Sequence, residues 1–280
     1  MAENPLIHLP KALPTINKVN ALRRRVVTQA RSFDIINWEN TSYGNGKLQA
    51  MDIHELNDLC PRDGWPTVVL IHGGGWEQGD KSDLSHYAPL FAKKGIMACS
   101  INYRLAPDHK WPTQLDDLLQ SIAFIREQQV DLQRIALWGI SAGGHLALMA
   151  ALQQPEWFKC VVTIGAPTDL TTTPAGLGTT CFSENQRRIA SPFHHSGTLP
   201  PTLILHGELD RVVPPSQAEE FHRTRPNDTT LMLIKDGDHG LRWPLINGWR
   251  AKRKAISWVV DTMDLPPRGS KWKRRKKKNR

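Results

Sequence analysis

The sequence predicts an α/β protein built on a mostly parallel sheet of eight strands, with helices on both faces and at most a small cap. One observation carries this. From residue 67 onward, short apolar runs of five or six residues alternate with longer segments of helical composition. That alternation requires right-handed crossovers, and so a sheet covered on both sides. A second observation locates the chemistry. In "RIALWGISAGGHLALMAAL", residues 134–152, a polar Ser141 stands between an apparent strand and an apparent helix, flanked by glycines.

The elements follow in order. Residues 33–37 and 48–54 read as a hairpin around "TSYGNGK", whose Asn45-Gly46 marks a turn. Strands are then expected at 67–71, 96–101, 134–138, 160–165, 202–206 and 230–234. Helices are expected at 84–94, 112–128, 142–152, 216–223 and 248–262. Ahead of these, 1–32 forms a separate segment, a minor cap with a short helix near 17–30; the main domain runs from 33 to 265. The stretch 168–201 is an insertion over the sheet.

The 280 residues suit one enzyme-sized domain, and the charge of +9 has a single location. Residues 266–280 form a basic tail, and "RGSKWKRRKKKNR" (268–280) holds nine of the 36 basic residues and no acidic one, so the remainder balances its 27 acidic residues. Like charges at that density with little apolar surface predict a disordered, solvated appendage. Weak, salt-sensitive contact with nucleic acid or anionic lipid is the second reading, and neither is required for the chemistry. The four cysteines show no C-x-x-C pairing and read as reduced core residues. No run approaches the ~18 apolar residues of a membrane span, and prolines and charges interrupt the N-terminus where a signal peptide needs an apolar stretch. A cytoplasmic setting is expected. Neither a cofactor nor a metal is expected: no phosphate-binding glycine pattern and no H-x-x-x-H or cysteine-pair spacing occurs. Oligomeric state leaves no trace in the sequence.

In sheets of this kind, reactive groups gather in loops at the carboxyl ends of strands. Gly139-Ile140-Ser141-Ala142-Gly143 has the G-x-S-x-G spacing of a strand-to-helix elbow, which lifts a serine oxygen clear of its neighbours. After strand 67–71 comes "HGGGWEQGDK", where bare amides of Gly74 and Gly75, with that of Ala142, are placed to bind an oxyanion. Asp210 follows strand 202–206 and His239 follows strand 230–234. The order serine, acid, histidine matches a nucleophile, the carboxylate that orients its base, and the base itself. Asp169 is the rival acid. Trp76 and Trp243 are expected to line the pocket, and His72 to shape the glycine loop. His145 and His206 read as structural, and Asp116 and Asp117 as braces for their helix. A free imidazole titrates near ~6.5, so any activity that needs neutral His239 is expected to fall as acid is added.

With "HGGGW", "INYRLAP" (101–107), "WGISAGGHLA" (138–147), "HGELDRVVP" (206–214) and "DGDHG" (236–240), the chain resembles the α/β-hydrolase family. More narrowly it is similar to the HGGGW-type carboxylesterase and lipase branch, which includes hormone-sensitive-lipase-like, acetyl- and feruloyl-esterase-like and kynurenine formamidase-like enzymes. The resemblance covers roughly residues 33–262. It implies a Ser141, Asp210, His239 triad, an oxyanion hole at Gly74, Gly75 and Ala142, and a small-molecule ester as substrate. Members of the branch often carry a sizeable cap, whereas the insertion here is short and polar. A shallow pocket suited to short acyl groups is the expectation, with an arylformamidase-like amide hydrolase as the alternative. A non-catalytic binding protein using the basic tail is the reading from another class.

Overall fold

The computed structural model describes residues 24–30, 33–56, 60–174, 176–241 and 245–265. Its strands are β1 (Arg24–Ala30), β2 (Phe33–Ser42), β3 (Ala50–Leu56), β4 (Trp65–Ile71), β5 (Met97–Ile101), β6 (Val130–Ile140), β7 (Cys160–Ile164), β8 (Thr202–Gly207) and β9 (Thr229–Ile234). They form one open sheet in the order β1-β2-β3-β5-β4-β6-β7-β8-β9. The eight expected strands are all there. From β5 to β9 every pairing is parallel, and β1, β2 and β3 add an antiparallel edge.

The ninth strand corrects the reading of the N-terminal segment. Residues 24–30 pair with β2 from Arg24↔Glu39 to Ala30↔Phe33 and are extended, where a helix was expected. Val26, Val27 and Thr28 are β-branched, and an adjacent strand edge satisfies their backbone in a way that local helix propensity does not register. The boundary expected at 32/33 is therefore crossed by strand pairing. The rest of the minor cap, residues 1–23 and 31–32, and the basic tail, 266–280, lie outside the described residues.

The described residues include six helices, α1 (Ala88–Ala92), α2 (Thr113–Arg126), α3 (Ala142–Gln153), α4 (Glu184–Ile189), α5 (Pro215–Thr224) and α6 (Leu245–Thr262), of which α4 belongs to the insertion and the others pack on the sheet. The expected helix at 84–94 divides into a 3-10 segment, Lys81–Tyr87, and the short α1. Strand alternation sorts the core into two layers. Val69, Ile71 and Leu137 face α2, α3 and α5, whereas Val68, Leu70 and Trp138 face α1 and α6. Because both faces are buried, the central strands read as continuous apolar runs rather than alternating ones.

Asp117 is fully buried at the edge of this core and takes the Arg104 guanidinium with contacts as short as 2.6 Å, together with Gln49 Nε2 at 2.8 Å. That ties α2 to the loop after β5 and to the β2–β3 hairpin, in line with a bracing role. Cys99, Cys160 and Cys181 are buried and Cys60 partly so, with no disulfide joining them. No described helix is long and apolar enough to cross a membrane.

Candidate active site

The site grows from the junction of β6 and α3. Ser141 adopts φ 53° and ψ −122°, a left-handed backbone that costs a non-glycine residue on the order of 1–3 kcal/mol and persists only when its surroundings hold it. They do so on both sides. The Ser141 N–H donates to Ile164 O at 2.8 Å, and Ser141 O accepts from His145 N at 3.0 Å. Close approach of helix to sheet explains the flanking glycines: a Cβ on Gly139 would lie 2.2 Å from Gly143 O.

The three residues expected to act together are within hydrogen-bond distance. His239 Nδ1 lies 2.7 Å from Asp210 Oδ2, and His239 Nε2 lies 3.0 Å from Ser141 Oγ. A carboxylate only accepts, so Nδ1 carries the proton and Nε2 is left to receive that of the serine. Asp210 Oδ1 accepts from the N–H groups of Val212 and Val213, each at 2.9 Å. Burial pushes the Asp210 carboxyl up, but the hydrogen bonds from His206, His239 and Val213 outweigh it and hold the group well below the usual carboxylate range. The rival Asp169 is engaged elsewhere: its Oδ1 accepts from Thr171 and lies 3.2 Å from His194 Nε2.

Beside the serine runs the glycine loop. Gly74 and Gly75 have φ of 112° and 63°, conformations open to glycine, and both line the same cavity as Ser141 and His239. Ala142, the third expected oxyanion donor, is buried as the first residue of α3, at the positive end of the helix. His72 stacks on Tyr103 with ring centroids 4.3 Å apart, and its Nδ1 donates to Gly73 O at 2.7 Å, so it shapes this loop as expected.

Trp76 corrects the sequence reading. Its indole is fully buried and absent from the cavity wall; its N–H donates to His145 Nδ1 at 3.3 Å, and its ring meets Phe182 edge-on at 4.8 Å. His145 Nε2 in turn donates to Ala190 O at 2.6 Å. Trp76, itself at φ 64°, thus anchors the end of the glycine loop to the insertion. A tryptophan after three glycines reads as a pocket wall because sequence does not say which way a strained residue turns. Trp243 lies outside the described residues.

The cavity measures about 800 Å³. Besides the residues named, it is lined by Asp83, His86 and Tyr87 from the 3-10 segment, by Leu177 from the insertion, and by Lys252 from α6. None of these carried a sequence signal, since they sit on helical segments or on the irregular insertion, where no motif marks a site. Burial, and then the nearby Lys252, push the His86 imidazole down. Glu77 accepts a hydrogen bond from Thr180, which ties the glycine loop to the insertion.

A mostly parallel sheet with this elbow, and an acid and a histidine on the loops after its last two strands, is the arrangement of an α/β-hydrolase. Within that class, a family model described as BD-FAE matches residues 51–224, and the chain belongs to that family. It is 30% identical over 214 residues to esterase LipC of Mycobacterium tuberculosis, covering 64% of this chain and 52% of that one. Kynurenine formamidase of Salmo salar is 27% identical over 124 residues, 44% of this chain and 41% of its own. The chain thus spans about half the length of these curated relatives. Among solved structures, Thermogutta terrifontis esterase 2 superposes with a TM-score of 0.70 at 23% identity, covering 82% of this chain and 95% of that one.

Proposed function

We propose that this protein is a serine hydrolase of small carboxylic esters with short acyl groups, working through an acyl-enzyme. The observation that carries the reading is the continuous chain of hydrogen-bond distances from Asp210 through His239 to Ser141, opening on one cavity. Ser141 attacks the ester carbonyl while His239 takes its proton, and Asp210 holds the imidazole tautomer and stabilises its positive charge. The amides of Gly74, Gly75 and Ala142 receive the oxyanion. His239 then protonates the leaving alcohol, and water repeats the cycle on the acyl group.

Support for short acyl groups comes from the modest insertion, in which α4 has six residues. A reducing, cytoplasmic setting belongs to the same proposal, supported by the four cysteines without a disulfide among them. The test is hydrolysis of p-nitrophenyl esters from acetate to decanoate by wild type and Ser141→Ala. The reading expects a maximum at acetate or butyrate and loss of turnover in the variant; turnover rising toward decanoate overturns the short-acyl part, and no turnover at any length overturns esterase action.

One observation favours a second reading, an arylformamidase-like amide hydrolase: the similarity to the kynurenine formamidase of Salmo salar. The machinery is the same and the leaving group differs. Side-by-side turnover of an aryl ester and an N-formyl aryl amine separates the two.

A further inference from the structure

Asp210 is served by two imidazoles. Its Oδ2 lies 2.7 Å from His239 Nδ1 and 3.3 Å from His206 Nε2, and the His206 and Asp210 side chains are fully buried. His206 Nε2 also lies 2.9 Å from Val213 O. A carbonyl only accepts, so Nε2 carries a proton and shares it between Val213 O and the carboxylate. His206 Nδ1 is buried and has no hydrogen-bond partner among the described residues.

With the N–H groups of Val212 and Val213 on Oδ1, each carboxylate oxygen faces two donors. A carboxylate offers about four lone-pair sites, so this one is saturated and its plane is set. The surroundings leave His206 with few rivals. Gly165, at the end of β7, brings no side chain; a Cβ there would lie 3.3 Å from both Asp210 Oδ2 and His239 Nδ1. Leu233 pairs with His206 across β9, and α5 buries Gln217, Ala218 and Phe221. Of the ionisable groups on the flanking loops, Glu208, Arg211 and Asp236 are exposed, and Asp238 is half-buried beside His239.

We propose that His206 is a positioning residue, whose shared Nε2–H holds the Asp210 plane that presents Oδ2 to His239 and tempers the negative charge His239 meets. The proposal rests on the Ser141, His239, Asp210 reading above. Its consequence has a sign. Removing this donor leaves more charge on Oδ2, which stabilises the protonated form of His239, so the neutral base forms only at higher pH.

The experiment compares wild type, His206→Phe and His206→Gln in the full chain. Two rates are followed against pH: ester turnover, and covalent capture of Ser141 by the organophosphate paraoxon, which needs the same base but no acyl specificity. The expected result is an acid limb moved up by about one pH unit in His206→Phe, in both rates, and restored toward wild type by the amide N–H of His206→Gln. Rates that fall with the limb unmoved, or that fall equally in both variants, overturn the role of His206 and leave the serine reading intact. Capture without turnover removes esterase action while still reading the limb. Absence of both overturns the serine reading and the proposal with it. Should His206→Phe not fold, nitrogen NMR of the wild-type ring decides: an Nε2–H tautomer between about pH 6 and 8 is required, and an Nδ1–H tautomer overturns the proposal.

Discussion

Gly143 lies directly beneath Ile71: a Cβ added to the glycine would stand 2.1 Å from the Ile71 carbonyl oxygen and 2.4 Å from that of His72. This contact sets the start of α3 against the end of β4, and so brings Ser141 beside the glycine loop. Both obstructing atoms are backbone, so Gly143→Ala has no side chain to push aside. The expected outcome is a lowered unfolding temperature together with kcat/KM reduced by about 10²-fold, the scale of a misplaced nucleophile. Thermal unfolding and ester kinetics on the purified variant check it, and wild-type values in both would show that the helix yields freely.

Ser141→Ala should lose on the order of 10⁴-fold or more in kcat, with an unfolding free energy close to wild type, because the hydroxyl contributes one hydrogen bond at the edge of the cavity. Circular dichroism and urea unfolding establish that the fold is intact. Substantial residual turnover would move the nucleophile elsewhere.

Asp210→Asn preserves the shape of the acid but presents an N–H or a weaker acceptor to His239, which frees the imidazole to take the wrong tautomer. About 10⁴-fold is the expected loss in kcat at neutral pH. A variant within tenfold of wild type would assign the acid's role to another carboxylate, with Asp169 the one to try next.

Trp76 is expected to act on stability and not on choice of substrate. Trp76→Ala removes a fully buried indole and should cost about 3–5 kcal/mol. Trp76→Phe, which loses the hydrogen bond to His145, should cost less. Relative rates across the acyl series are expected to stay the same in Trp76→Phe; a changed preference would return the residue to the pocket.

Burial holds the His145 imidazole down to about 4. Its unfolded value is near 6.5, so the neutral ring favours the folded state at pH 7. That advantage is lost as pH falls from about 6.5 through about 4, where only the unfolded chain takes up the proton at first. The loss is on the order of 3 kcal/mol. Urea unfolding at pH 7 and pH 4 should show a smaller drop in His145→Gln than in wild type, and an equal drop would remove His145 as a source of acid sensitivity.

The strands were legible because each buried one is a short apolar run bounded by turn residues, as in 67–71 and 202–206. Ser141, Asp210 and His239 were legible for a related reason: a parallel sheet sends every strand's carboxyl end to one side, so residues just after three different strands converge without any sequence proximity. The strand at 24–30 was not, since its conformation comes from pairing with β2 and not from local preference. Trp76 was misjudged for the same kind of reason: its direction is decided by His145 and Phe182, which lie far along the chain.

By itself, the sequence determined the α/β order of elements, the elbow at Ser141 and the glycine loop at 73–75, because each is a local pattern whose backbone demands only certain residues satisfy. Tertiary structure alone decided that a second imidazole, His206, meets Asp210, that Trp76 turns into the core, and that Asp83, His86 and Lys252 share a wall with the serine. Those are contacts between segments that approach only when the sheet assembles, and no spacing along a chain records the distance between two of its folds.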